Sequence, residues 1–192
     1  MPILNSNINS RTTSITSVGR TPRNPTVDRQ VQGVSRVNYL YTPANVTLRG
    51  GRLSCDENSR GNGAYLYGVD NLTAIVDLNI NCSVVVSGRY SGCVFRVVQT
   101  GPEAFVCLHI YNPGGNPTLL DDAERYVRSR GWRDIATLGS SGLVQPGRVD
   151  SVWFVCELSR PGAVRIARLD ASSTGEIVNQ FLGEFPGHNR GW

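Results

Sequence analysis

Three apolar runs of strand length, "SVVVSG" (83–88), "CVFRVVQ" (93–99) and "AFVCLHIY" (104–111), follow one another with only short turn signals between them. Each is apolar on both faces, as a central strand of a covered sheet must be, and none approaches the length of a membrane span. A chain built on such runs has to form a sheet and then bury both of its sides. The 21 glycines and 10 prolines punctuate strands of this length, and 192 residues are enough for one domain with a substantial core.

The remaining pattern agrees. "VNYLYTP" (37–43) and "NVTLRGGRLSC" (45–55) read as strands broken at Pro43 and at Gly50–Gly51, and "DENSRGNGAYLYG" (56–68) reads as loop. In "AIVDLNINC" (74–82), Asp77, Asn79 and Asn81 alternate with apolar neighbours, the period of a half-buried strand. "SVWFVCEL", "SRPG" and "AVRIARL" form a hairpin. One helix is predicted. Thr118 and Asp121 make a capping box after Pro117, and Leu119, Ala123, Tyr126 and Val127 fall on one face. Asp121, Asp122 and Glu124 are read as N-terminal charges, and Gly131 as the stop. Residues 36–192 are therefore expected to be a single α+β domain, a mostly antiparallel β-sandwich core with one or two flanking helices. Residues 1–35 are rich in Ser, Thr, Asn and Arg without an apolar period, and are expected to be a disordered leader, a possible secretion signal.

Charge narrows the setting. All 19 basic residues are arginine, with no lysine anywhere in a chain of net charge +4. Arginine keeps charge and bidentate hydrogen bonding but offers no amine for ubiquitination or amide cross-linking, so the absence of lysine fits either survival in a eukaryotic cytosol or a GC-rich genome that favours Arg codons. Five cysteines, an odd number, match no metal spacing, so at least one thiol is free and a reducing compartment is expected. No metal and no organic cofactor is expected, nor stable membrane association. The sequons at Asn45, Asn71 and Asn81 are discounted as chance in an Asn- and Ser-rich chain.

The chemistry centres on "SGRYSGC" (87–93). A three-residue loop at Thr100–Gly101–Pro102 would place Cys93 opposite His109, Phe95 opposite Cys107 and Val97 opposite Phe105, with cross-strand Cβ atoms about 4.5–5.5 Å apart. A shift of one residue would turn His109 to the other face. His188, the second histidine, lies in a Gly-rich tail. An imidazole beside Cys93 would hold the thiol as thiolate, Gly92 would leave room for substrate, and N–H groups around Cys93 would form an oxyanion hole. Cys55, Cys82, Cys107 and Cys156 lie in or beside strands and are read as packing residues. Gln99 occupies the place of the arginine that a phosphatase loop would need.

Ser91–Gly92–Cys93 followed by His109 sixteen residues later resembles the glutamine deamidase toxins of the cytotoxic necrotizing factor and Burkholderia lethal factor type, which share a fold with chemoreceptor deamidases. The resemblance is specific over about residues 84–115. It implies Cys93 as nucleophile, His109 as base and acid, and Ser87, six positions before the cysteine, as an orienting or substrate-binding group. Ser91 and Tyr90 fall on the substrate side with Gly92, although Tyr90 stands where the toxins commonly have Leu. The implied activity is deamidation of a host-protein glutamine, in a Rho-type GTPase first and a translation-initiation helicase second. The protein would then be a monomer, secreted or injected by a bacterium into the host cytosol, with no nucleic-acid partner. Two alternatives stay open. One is a viral coat protein whose arm carries Arg11, Arg20, Arg23, Arg29 and Arg36. The other is a cysteine protease or transglutaminase using the same pair.

Overall fold

The computed structural model describes residues 3–4, 15–112, 117–160 and 162–187. In chain order the strands are β1 (Ser17–Val18), β2 (Val27–Gln30), β3 (Val37–Arg49), β4 (Arg52–Glu57), β5 (Gly63–Leu66), β6 (Thr73–Leu78), β7 (Val84–Tyr90), β8 (Val94–Gly101) and β9 (Ala104–Ile110). Helix α1 (Pro117–Ser129) follows, then β10 (Arg133–Gly139), β11 (Ser151–Arg160), β12 (Ala163–Ala171) and β13 (Ile177–Pro186).

One mostly antiparallel sheet runs in the order β10-β8-β9-β6-β3-β5-β7-β11-β12-β13, and among the described residues its parallel pairs are β3–β6, β5–β7 and β1–β4. Its two ends, β10 and β13, approach each other, so the sheet curls into a nearly closed barrel. The sandwich expectation is therefore replaced by a single rolled sheet, while the β-rich class with one helix among the described residues stands. Alternation of side chains is common to both architectures and does not tell them apart.

The apolar runs are covered on both sides, as their composition requires. Val85, Phe95, Val97, Cys107, Phe154, Cys156 and Ile166 fill the barrel interior. On the outside, Val94, Val98, Val106, Leu108 and Ile110 lie beneath Leu119, Ala123, Tyr126 and Val127 of α1. Farther round, Val84, Val86, Trp153 and Val155 are covered by Leu4, Ile15, Leu53 and Cys55. Each valine, leucine, isoleucine or phenylalanine among them contributes roughly 1.5–3 kcal/mol on full burial.

Several local expectations need correction. The segment taken as a disordered leader supplies β1 and β2, and Leu4 is wholly buried with its N–H on the Glu157 carboxylate; residues 1–2 and 5–14 lie outside the described residues. Pro43 does not break β3. Its carbonyl accepts from Asn58 N–H, so its missing N–H faces the same side, in the gap between β3 residues 38–41, which pair with β2, and 44–49, which pair with β4. β5 lies inside the stretch read as loop and is buried throughout. β6 ends at Leu78, because Asn79 Oδ1 accepts from the N–H groups of Asn81 and Cys82 and turns the chain, leaving Ile80 at the exposed tip. The helix begins at Pro117, so Asp121, Asp122 and Glu124 fall beyond its first turn. There Asp122 and Glu124 pair with Arg36, Arg96, Arg125 and Arg128. Gly131, at φ 68°, ends it as expected.

Candidate active site

The β8–β9 hairpin forms, but with a different register. Gly101 pairs with Ala104 and Gln99 with Phe105, Thr100 being bulged, so Phe95 rather than Cys93 lies opposite His109 and Val97 lies opposite Cys107. The slip is two residues. Because side chains alternate with period two, His109 keeps the inward face, while Leu108 and Ile110 point to the helix.

Cys93 is placed by the connection from β7 to β8. These strands are separated by β9, β6, β3 and β5 along the sheet, yet only Ser91, Gly92 and Cys93 join them. The chain must therefore cross the barrel's end, and the four steps from Tyr90 to Val94 span at most about 14 Å. Gly92, at φ 148°, takes a conformation that L side chains rarely adopt. The crossing is pinned by Ser140, whose N–H and hydroxyl both donate to the Cys93 carbonyl, at 3.1 and 2.9 Å, and whose Oγ accepts from Gly92 N–H at 2.9 Å. Gly92 N–H is thus occupied by Ser140 rather than open to an oxyanion. Ser91 is exposed at the tip.

Ser87 and Tyr90 are three residues apart and would face opposite ways in a regular strand. Phe154 pairs with Ser87 and Val152 with Tyr90, so β7 carries one extra residue there, and this bulge turns both side chains inward. Ser87 Oγ donates to the Leu66 carbonyl at 2.9 Å and lies 2.9 Å from the Tyr90 hydroxyl and 3.1 Å from His109 Nδ1. With its one proton spent on a carbonyl, Ser87 can only accept from the other two. His109 is therefore the Nδ1–H tautomer, and its Nε2 carries a lone pair. That nitrogen is buried and has no hydrogen-bond partner. Tyr90 stacks on the imidazole at 3.8 Å and 12° and meets Phe95 and Phe154 edge-on. It is wholly buried and supports the histidine instead of lining the substrate side.

Electrostatics leave both candidate groups neutral. Burial without a counter-charge lowers the His109 pKa from 6.5 to about 3. Burial also raises the Cys93 thiol, opposed by a hydrogen bond from the Asn112 backbone and reinforced by the nearby Asp70 carboxylate. Cys93 is half-buried and packs against the interior cluster that holds His109's neighbours Phe95 and Cys107. The imidazole donates to Ser87 and not to the thiol, so the pair is a thiol and a neutral imidazole, not a preformed thiolate–imidazolium. Cys55, Cys107 and Cys156 are buried packing residues as expected, while Cys82 is only partly buried. His188 lies outside the described residues.

Four residues escaped the sequence reading. Asn112 presents its N–H to Cys93 Sγ and keeps a buried, unpartnered Oδ1. Asp70 hydrogen-bonds Tyr111 beside Cys93. Gly68, itself exposed, packs so closely over the imidazole that a Cβ would lie 2.4 Å from His109 Cε1 and 2.6 Å from Nε2. Ser140 holds the crossing. Each acts through backbone placement or long-range proximity, for which no sequence spacing gives a signal. Among the described residues no group of three or more His, Cys, Asp or Glu side chains converges to hold a metal ion. Compared with known proteins, the chain matches no family model and no curated protein.

Proposed function

We propose that this protein is a cysteine hydrolase of carboxamides, a deamidase of protein glutamine side chains. One observation carries the reading: a buried histidine fixed as the tautomer with a bare, unpartnered Nε2, in a barrel whose end is crossed by a half-exposed cysteine. A buried nitrogen acceptor without a donor costs about 1–3 kcal/mol, so its retention argues for use. Substrate displaces the Gly68 segment. Cys93 Sγ attacks the carboxamide carbon as its proton passes to Nε2, and the collapsing intermediate releases ammonia with that proton. The thioester is then opened by water, whose proton His109 takes and returns to sulfur, leaving glutamate. The Asn112 N–H, directed at Sγ, is the donor best placed for the developing oxyanion.

Protein glutamine as substrate, a small GTPase or translation factor as target, and action in a host cytosol rest on the resemblance of Ser87, Ser91–Gly92–Cys93 and His109 and on the absence of lysine. In a GTPase the glutamine positions the hydrolytic water, so its conversion to glutamate would hold the switch on. The coat-protein alternative is weaker, because Arg29 lies over the Tyr39 ring and Arg36 pairs with Asp122 instead of extending on a free arm. The test is intact-mass spectrometry of purified GTPases and helicases after incubation. A gain of about one dalton that Cys93→Ser and His109→Gln both abolish supports the reading, whereas chain cleavage, or no mass change with any target or glutamine peptide, counts against it.

A further inference from the structure

The outer wall of the barrel carries a second cleft, away from the residues of the proposed hydrolysis. Around Trp153, the β1 and β4 strands, the outward side of β7 and the turn 172–175 enclose a polar cleft of about 270 Å³. Arg52 and Arg89 line it, with Thr21, Ser173 and Thr174 supplying hydroxyls.

The two arginines differ from most arginines of the sheet and helix. Arg36, Arg96, Arg125, Arg128, Arg160, Arg165 and Arg168 each lie against a carboxylate. Arg52 and Arg89 have no ion pair among the described residues, and the residues outside the description include no Asp or Glu. Asp150 is the one carboxylate in the lining, so two guanidinium groups face one negative charge.

The surroundings are also built to hold them. A Cβ at Gly19 would lie 2.5 Å from Arg52 Nε, so the bare backbone there lets the Arg52 side chain lie flat along it. Across the cleft the turn is fixed, with Gly175 N–H donating to the Ser172 carbonyl and Glu176 N–H to Ser172 Oγ. Two planar forks and neighbouring hydroxyls match a tetrahedral oxyanion better than a carboxylate, whose two oxygens satisfy a single fork. The volume exceeds that of phosphate alone, and Asp150 can accept a hydroxyl from whatever carries it.

We propose that this cleft binds a phosphate monoester. Arg89 neighbours Tyr90 but lies on the opposite side of the barrel wall, so occupancy here and reaction at Cys93 are separable.

The test is titration of ¹⁵N-labelled protein with inorganic phosphate, O-phosphoserine and ribose 5-phosphate, followed at the Trp153 indole and the 172–175 amides, against sodium chloride at matched ionic strength. Saturable shifts are expected there. Arg52→Gln and Arg89→Gln should each weaken binding roughly tenfold, and Arg160→Gln, on a different face, should leave it unchanged. Arg52→Lys should fall between, since charge remains and the fork is lost. Binding of either ester more tightly than inorganic phosphate supports the proposal and identifies the carrier, whereas equal affinity for all three overturns the monoester. The proposal is overturned if none of the three shifts these signals, if chloride shifts them equally, or if the double variant Arg52→Gln/Arg89→Gln, with an unchanged melting temperature, binds as the parent does.

Discussion

Ser87 Oγ and His109 Nδ1 lie 3.1 Å apart although their strands, β7 and β9, are separated by β5, β3 and β6 in the sheet. In a flat sheet four strand spacings would separate them by roughly 19 Å. The contact exists because the sheet rolls up, so the candidate site belongs to the closure of the barrel and not to any one hairpin.

Burial of His109 makes stability depend on pH in a defined direction. His109 is neutral in the fold, with its pKa lowered from 6.5 to about 3, whereas the unfolded chain takes up a proton below 6.5. Its contribution is therefore intact above pH 6.5 and is lost as the pH falls toward 3, at about 1.4 kcal/mol per pH unit. Urea unfolding at intervals between pH 7 and 4 should show this slope in the parent and a shallower one in His109→Gln. Equal slopes would mean that His109 is protonated in the fold.

Removing the Ser87 hydroxyl leaves the donors of Tyr90 and His109 buried without their common acceptor. Ser87→Ala should cost about 1–3 kcal/mol. It should slow deamidation less than Cys93→Ser or His109→Ala does, since a positioning group supplies only part of the effect. A Ser87→Ala protein as inactive as Cys93→Ser, yet still folded by circular dichroism, would require a direct chemical role for Ser87.

Alkylation should distinguish the cysteines by exposure and by pH. Cys93 and Cys82 are partly exposed, the other three are buried, and burial pushes the Cys82 thiol up to about 12. Iodoacetamide should therefore modify Cys93 first, as read by peptide mass mapping. Because burial raises the Cys93 thiol too, its rate should climb with pH through the alkaline range instead of levelling off at neutrality. A plateau below pH 7 would show a preformed thiolate.

Gly68 is exposed and needs no unusual φ, so only the imidazole beneath it opposes a side chain. Gly68→Ala should cost about 1–3 kcal/mol by overpacking and should displace the His109 ring. The His109 imidazole NMR signals should shift, and turnover should fall with it. Unchanged signals would show that the covering segment yields freely.

By itself the sequence determined the central strands, the helix face and three residues of the candidate site. The runs at 83–88, 93–99 and 104–111 read as sheet, because they are short, rich in valine and bounded by turn residues. Leu119, Ala123, Tyr126 and Val127 had to lie on one side by helical period. Ser87, Cys93 and His109 stood out by kind and spacing. Tertiary structure alone decided how they meet. The bulge at Thr100 moved Phe95 opposite His109, and the bulge in β7 brought Ser87 and Tyr90 onto one face. Closure of the sheet carried Ser87 to His109 and stretched Ser91–Gly92–Cys93 across the barrel's end. Alternation records which face a residue takes along a strand, but curvature, bulges and the crossing of a barrel end arise from contacts between distant segments, and no local period encodes them.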